Sequence, residues 1–282
     1  GQDSSNGNPF PQLAIGEYKV ISSNYKAEFD QISSAAVVAV TKSGGNEFSG
    51  SLFWDRFSDN WRTKTIFEKR NNTDKVDYSE EHYGVSFGGP IIREKLFYFG
   101  TFEQIKGNLT RPNLSAAIGT PCSVQTPTIQ ANEALINGSA DCQRLALLNF
   151  FKTTRGQDEG LAVKKPINTS AFLGKLDWKI NPGNELGMSY NFNRSKKENE
   201  TFDVPTYGNS ANGTEGPGRI NAFNLNLFTT LSATKVNEFH ATYLREDRPR
   251  SATKSNIPAD TAMGFATSFR FGAPFFLGPN VD

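Results

Sequence analysis

Cysteine, methionine and histidine number two each in this chain, and tryptophan three. So few cysteines exclude a dense disulfide scaffold, and their spacing fits no zinc site. Apolar residues reach only 37% of the 282 residues, against about 45–50% in ordinary globular chains. No apolar run approaches the roughly eighteen residues of a membrane-crossing helix, and mean hydropathy is −0.50. Neither sign of charge is in excess, with 30 Lys plus Arg against 29 Asp plus Glu. A net charge of +1 gives no electrostatic reason to expect a nucleic-acid partner. No G-x-S-x-G, P-loop, H-E-x-x-H or EF-hand pattern occurs. The expectation is therefore no enzyme, no cofactor and no metal. The opening GQDSSNGNPFPQ has no initiator Met, basic region or apolar core of a signal peptide. Both ends read as those of a fragment.

What is abundant points elsewhere. There are 23 Phe and 25 Gly. Aromatics at 12% argue against wholesale disorder. Low aliphatic content beside them argues against a helical bundle. A transmembrane β-barrel stays open, because its strands are apolar on one face only. Period-2 alternation is the main local signal. Phe172, Gly174, Leu176, Trp178 and Ile180 share one face, with Leu173, Lys175, Asp177 and Lys179 on the other. Asn181-Pro182-Gly183-Asn184 supplies a turn. Leu186, Met188, Tyr190 and Phe192 then alternate with Gly187, Ser189, Asn191 and Asn193. The same alternation marks Tyr83–Phe87, Leu96–Phe102, Phe223–Leu231 and Phe239–Tyr243. Gly89-Pro90 is read as a strand end, and residues 50–57 as a further strand.

The connections alternate in length. Short ones lie near 90–95, 181–184 and 232–236. Long polar ones lie near 58–80, 106–169, 195–219 and 246–282. A meander puts every short turn at one end and every long loop at the other, as outer-membrane barrels do. A Greek-key sandwich has no reason to sort them. The fold class expected is all-β, an antiparallel up-and-down meander forming part of a transmembrane barrel. Residues 128–154 could carry one or two short helices within the longest loop. Cys122 and Cys142 lie in that loop; they read as a loop disulfide, the alternative being two unpaired thiols. Residues 1–46 differ in kind. Residues 17–23 and 35–46 read as short strands of a small globular unit, with Ala35–Val40 apolar enough for a strand buried on both faces.

The stretch SNYKAEFDQISSAAVVAVTKSGGNEFSGSLFWDRF, residues 23–57, resembles the plug–barrel junction of TonB-dependent outer-membrane receptors. Within them it is similar to an acidobacterial-type group with an oligosaccharide-transporter-like plug. FGGPIIREKLFYFGTFE (87–103) and FLGKLDWKINPGNELGMSYNFNRS (172–195) resemble barrel strands of that group. The resemblance covers about residues 15–245. Asp30 and Ser34-Ala35-Ala36 stand where the group usually has glycine, so the local plug path can differ. The resemblance implies residues 1–46 as the end of a plug and 47–282 as the first part of a barrel, about seven strands of some 22. It also implies the bacterial outer membrane, active uptake of a large nutrient (an oligosaccharide first, a siderophore or cobalamin otherwise), and a TonB-type partner reached through a segment absent here. Outer-membrane lipid and a surface lipoprotein are the other partners it implies. A soluble secreted β-rich binding or adhesion module is the alternative from a different class.

In a barrel the polar face would line the lumen. Lys175, Asp177, Lys179, Asn191, Asn193, Asn224, Asn226, Glu238 and His240 are the candidates for that lining. They could border a substrate path, or simply bind the plug and water. Trp178, Tyr190 and Phe223 would meet lipid or an interfacial girdle. His82 and His240 read as barrel-wall or interfacial residues rather than ligands, and Glu80-Glu81 before His82 as a solvated strand end rather than a metal cluster. Arg194–Glu200 reads as an exposed charged loop. Trp61, Tyr207 and Asn209 are loop residues of the types sugar sites use. Asn-X-Ser/Thr triplets at Asn108, Asn113 and Asn137 are expected by chance in so Asn-rich a chain.

Overall fold

The computed structural model describes residues 10–21, 36–70, 72, 74–111, 140–160, 163–200, 208–252, 260–262 and 269–272. Two strands come first, β1 (Ile15–Ile21) and β2 (Ala36–Thr41). Seven more then form one antiparallel meander: β3 (Ser49–Ser58), β4 (Tyr78–Ile92), β5 (Leu96–Arg111), β6 (Val163–Asn181), β7 (Asn184–Glu200), β8 (Gly213–Ser232) and β9 (Lys235–Asp247). The short β10 (Arg250–Ala252) continues β9 along the upper part of β8. Two further short strands, β11 (Asp260–Ala262) and β12 (Phe269–Phe271), pair with each other. Among the described residues the large sheet does not close, and β3 and β9 are its edges.

The short turns are built as their residues dictate. Asn181 Oδ1 accepts from the Gly183 N–H at 2.9 Å, an Asx turn. Glu94 takes a left-handed φ of 64°, and Asn46 Oδ1 accepts its N–H at 2.7 Å. Ser232 Oγ accepts from the Thr234 N–H at 3.3 Å in the third turn. All three turns lie at one end, and the long connections lie at the other.

The strands overrun the limits expected from alternation. β5 continues to Arg111, β6 starts at Val163, β7 reaches Glu200 and β8 starts at Gly213. The long connections shrink to 59–77, 112–162 and 201–212. Arg194–Glu200 is thus strand rather than loop, with Lys197 buried. Gly89-Pro90 does not end β4, which runs to Ile92 past a register shift. The physical reason is that the apolar face turns polar near the long-loop end. Phe102 is followed on that face by Gln104 and Lys106, and Phe192 by Arg194 and Lys196. The hydrogen-bond ladder continues where the period-2 apolar signal stops.

The long-loop end carries its own packing. Helix α1 (Ile66–Arg70) sits in the first connection and α2 (Ala140–Arg155) in the second. The α2 helix falls within the segment expected to be helical except for its last residue, Arg155. Cys122 lies outside the described residues, as does the side chain of Cys142, and so does their pairing. Phe151 of α2 packs on Phe271 with ring centroids 4.7 Å apart. Buried Glu159 accepts the Ser210 N–H at 2.8 Å, and Ser210 Oγ accepts the Gly272 N–H at 2.8 Å. Three connections are thereby tied together.

A second clasp closes the 59–77 connection. Arg62 forks onto both carboxylate oxygens of Glu68 at 2.7 Å each. The Thr65 and Val76 N–H groups donate to the same carboxylate. Arg62 first, then those two amides, hold the Glu68 carboxyl well below its ordinary value of 4.5. A depressed folded-state pKa contributes stability above the unfolded value and loses it as pH falls through the folded one. Loop 59–77 is expected to keep its amide hydrogen-exchange protection from neutral pH down to 4.5 and to lose it only in stronger acid. Glu68→Gln should remove that protection at neutral pH; unchanged exchange in the variant would show the clasp to be idle.

The β1–β2 ribbon departs from expectation. Its strands pair antiparallel, Tyr18 opposite Ala39 and Val20 opposite Val37. Yet Tyr18, Val20 and Val40 are exposed. A two-stranded ribbon has no neighbour on either side among the described residues, so β2 is not buried on both faces.

Candidate functional site on the polar face of the sheet

The pairing registers sort the sheet into two faces. One register row reads Leu52–Val85–Phe102–Phe172–Phe192 across β3 to β7. Its neighbour on the opposite face runs through Ser86, Thr101, Leu173, Asn191 and Ala222. By these registers, Lys175, Asp177, Lys179, Asn191, Asn193, Asn224, Asn226, Glu238 and His240 all belong to the second, polar face.

They fall into three groups. Asn226 Oδ1 meets His240 Nδ1 at 2.6 Å, and His240 Nε2 meets Glu238 Oε1 at 2.6 Å. Asn224 Oδ1 accepts from Thr242 Oγ1 at 3.0 Å, one row further up. Asn191 and Asn193 are buried in the middle of the face. Lys175 and Asp177 line a recess of about 260 Å³ with Lys179, Glu185, Asn226 and Phe228. Lys175 Nζ donates to Ser43 Oγ at 2.7 Å and lies 3.8 Å from Asp177 Oδ1. The other oxygen, Asp177 Oδ2, is enclosed without a hydrogen-bond partner among the described residues. The recess presents both signs of charge and amide groups, which suits a hydrated polar solute or a polar protein segment. Among the described residues no three His, Cys, Asp or Glu side chains gather to hold a metal ion.

The segment before the sheet docks on this polar face. The 3-10 turn Gln12–Ala14 places Ala14, fully buried, against Phe99 and Leu173. Leu13 N–H donates to Glu103 Oε1 at 2.6 Å. His82 Nε2 lies 3.1 Å from Glu103 Oε2, and because a carboxylate only accepts, that nitrogen carries the proton. The His82 ring stands edge-on to Phe53 at 4.7 Å. Glu103 is only 5% exposed, so both donors are needed to offset its desolvation. Below it, Gly44 passes so close to β5 that a Cβ would stand 2.2 Å from the Tyr98 carbonyl oxygen, which only glycine permits.

His82 thus lies in the sheet wall with a partner on the next strand, Glu80-Glu81 before it are half-buried rather than fully solvated, and Glu103 was not singled out by the sequence. The available signal was parity. Glu103 is in phase with Phe97, Phe99 and Thr101, opposite to the Leu96–Phe102 face. Of the loop aromatics, Trp61 is exposed with the Arg56 guanidinium 5.9 Å above its ring, a cation–π arrangement. Asn209 is spent on a 3-10 turn, its N–H donating to the Glu159 carbonyl, and Tyr207 lies outside the described residues.

The other face is apolar and ends in aromatics. Toward the long loops, the last apolar residue on that face is Trp54 in β3, Tyr83 in β4, Phe102 in β5, Phe172 in β6, Phe192 in β7, Phe223 in β8 and Tyr243 in β9. Each strand contributes one. From Phe172 to Ile180 the apolar run spans about 26 Å of strand, close to the band of about 25 Å on membrane barrels. Leu52, Trp54, Phe239 and Tyr243 are more than half exposed, which a water-soluble module would have to hide.

Comparison with known proteins agrees with this architecture. A family model described as outer membrane beta barrel domain matches residues 40–279. A TonB-dependent transporter, Oar of Myxococcus xanthus, is 30% identical over 101 residues, covering 34% of this chain and 10% of Oar. The crystal structure of the outer membrane transporter YddB from Escherichia coli superposes with a TM-score of 0.57 at 12% identity, covering 92% of this chain and 30% of YddB. The chain thus spans about a tenth of the one relative and under a third of the other. At such identity YddB is similar in fold alone.

Proposed function

This chain belongs to the outer membrane β-barrel domain family, and from that premise we propose that it is the plug end and first barrel strands of a TonB-dependent receptor importing a large nutrient. Its place is the outer membrane, and its sheet is transporter-like. The carrying observation is the segregation of faces, with the preceding segment seated on the polar one through Glu103 and Ala14. On this reading the apolar face meets lipid and the polar face lines the lumen. Lys175, Asp177, Lys179, Asn191, Asn193, Asn224, Asn226, Glu238 and His240 then border the plug or the substrate path. Residues 1–46 act as plug and the rest as barrel.

The TonB-type partner draws support from the resemblance of residues 23–57 and from the similarity to Oar, which is itself described as TonB-dependent. It would engage a segment outside this chain. The favoured substrate is an oligosaccharide, by resemblance of the plug junction alone. A surface lipoprotein would assist capture at the long-loop end. The protein hydrolyses nothing; the ordering energy is external.

The test is growth of the source bacterium, with and without the complete receptor, on sugars of increasing length. Loss of growth on a long oligosaccharide but not on its monosaccharide is the expected result, and deletion of the TonB-type protein should reproduce it. Normal growth on every sugar, with a defect in siderophore or cobalamin supply, would overturn the substrate class. A growth defect that persists unchanged without dependence on the TonB-type protein would overturn the coupling.

A further inference from the structure

The apolar face carries a groove. Gly100 and Gly174 are direct cross-strand partners, and neither offers a side chain to fill the surface. The resulting depression has a volume of about 370 Å³ and is walled by Phe87, Leu176, Met188 and Phe223 among others. The Phe87 and Phe172 rings lean toward the two glycines: a Cβ on Gly100 would meet Phe87 at 2.9 Å, and one on Gly174 would meet Phe172 at 3.2 Å. The floor is thus shaped by the absence of methyl groups. The groove opens about one side-chain row below the aromatic line formed by Phe102, Phe172 and Phe192.

Directly above that line the same face turns basic. Arg194 and Arg219 are cross-strand partners, one row above Phe192. Both side chains are exposed, and neither has an ion-pair partner among the described residues. Asp247 stands opposite Arg219 in the register but closes no ion pair with it. Lys196 lies on the same face two residues on and is paired with Glu198. Lys106 flanks the group on β5, exposed. Like charges placed directly opposite each other across strands destabilise a sheet. The Arg194–Arg219 pair is a cost unless an anion sits between the two guanidinium groups. The distance suits one molecule: Arg194 is four residues above Tyr190 at the groove, about 13 Å of strand.

We propose that this face binds a phosphate-bearing lipid of the membrane leaflet on the long-loop side. One acyl chain lies in the groove over Gly100 and Gly174, and the phosphate bridges Arg194 and Arg219. Arginine suits this role because its planar fork donates two parallel hydrogen bonds to phosphate oxygens. Hydrocarbon fills the groove because the band below the aromatic line admits no water-soluble occupant. Asn221, which accepts from the Tyr190 hydroxyl at 2.8 Å, separates the two halves of the site and fixes the Tyr190 wall. The inference rests on the reading that the apolar face meets lipid.

The test uses the complete receptor purified from outer membranes in mild detergent and examined by native mass spectrometry. A phosphate-bearing lipid adduct is expected on the wild-type protein. Its mass separates an outer-leaflet glycolipid from an ordinary phospholipid, and only the former fits the leaflet proposed here. The double variant Arg194→Glu/Arg219→Glu should retain the adduct about tenfold less, or lower still, on loss of charge-assisted bonds. Gly174→Leu, which fills the floor without touching the charges, should lower it as well. Heat-dependent electrophoretic mobility of each variant shows whether the barrel is folded. Equal adduct occupancy in folded wild-type and variant proteins, or no adduct on the wild type, would overturn the lipid site alone. Absence of a heat-dependent shift in the wild type would instead overturn the membrane reading beneath it.

Discussion

Leu225→Arg is expected to destabilise the membrane-inserted barrel by about 2–4 kcal/mol, the cost of arginine near the bilayer midplane on the lipid face of a barrel. Leu225 lies between Met188 and Ala241 in the register, in the middle of the apolar face and outside the groove. Asn224→Arg, one residue away, enters the polar face. It gives up the bond from Thr242 Oγ1 and a longer one to Ser189, worth about 1 kcal/mol at most in partly solvated surroundings. The contrast between adjacent positions is the informative quantity, because a strand exposes them to different solvents. Urea unfolding of the complete protein in lipid vesicles, followed by heat-dependent mobility, measures both. Equal losses at Leu225 and Asn224 would mean that the apolar face does not meet lipid.

Glu103→Leu is the second large effect. The substitution strands two donors, the Leu13 N–H and His82 Nε2, where the carboxylate is now almost wholly enclosed. Each hydrogen bond to a charged group is worth about 1.5–3 kcal/mol, so their joint loss is of order 3–6 kcal/mol. The loss should be local. Residues 11–21 hold to the sheet through Glu103 and the Ala14–Phe99–Leu173 contact, while the Lys42 N–H donating to the Ala14 carbonyl at 2.7 Å only extends the β1–β2 pairing. The sheet is held by its own ladders. Hydrogen exchange should rise in residues 11–21 by about two to four orders of magnitude at about 1.4 kcal/mol per tenfold, with β5 and β6 unchanged. Glu103→Gln keeps a carbonyl for the Leu13 N–H and should show a smaller rise. Unchanged exchange in Glu103→Leu would leave the anchoring to Ala14 and Leu173 alone.

These expectations rest on different depths of information. The alternation of Phe172–Ile180 and Leu186–Phe192 is a local property, because successive side chains on a strand must point to opposite sides. Anyone reading residues 172–193 can write down both faces and the Asn181–Asn184 turn. The sorting of short and long connections is equally legible, and it carries the meander. The nine polar candidates share a face for the same reason: parity survives from strand to strand as long as the registers hold.

The upper halves of the strands were not legible. Beyond Phe102, Phe172 and Phe192 the apolar face turns polar and the other keeps only scattered apolar residues such as Ile105, Leu109 and Ile167, so alternation of hydropathy fades while main-chain pairing goes on. Nor could the chain by itself bring Glu103 to Leu13, ninety residues away. That contact depends on where the 3-10 turn settles against Phe99 and Leu173. The aromatic line across seven strands and the Arg194–Arg219 pair depend on register, which is a relation between strands and not a property of any one. The sequence by itself determined the two faces, the turns and the family resemblance, because these follow from local periodicity and short motifs. Strand length, the carboxylate that anchors the first segment and the charged site above the groove were decided only in the tertiary structure, where long-range pairing sets which residues meet.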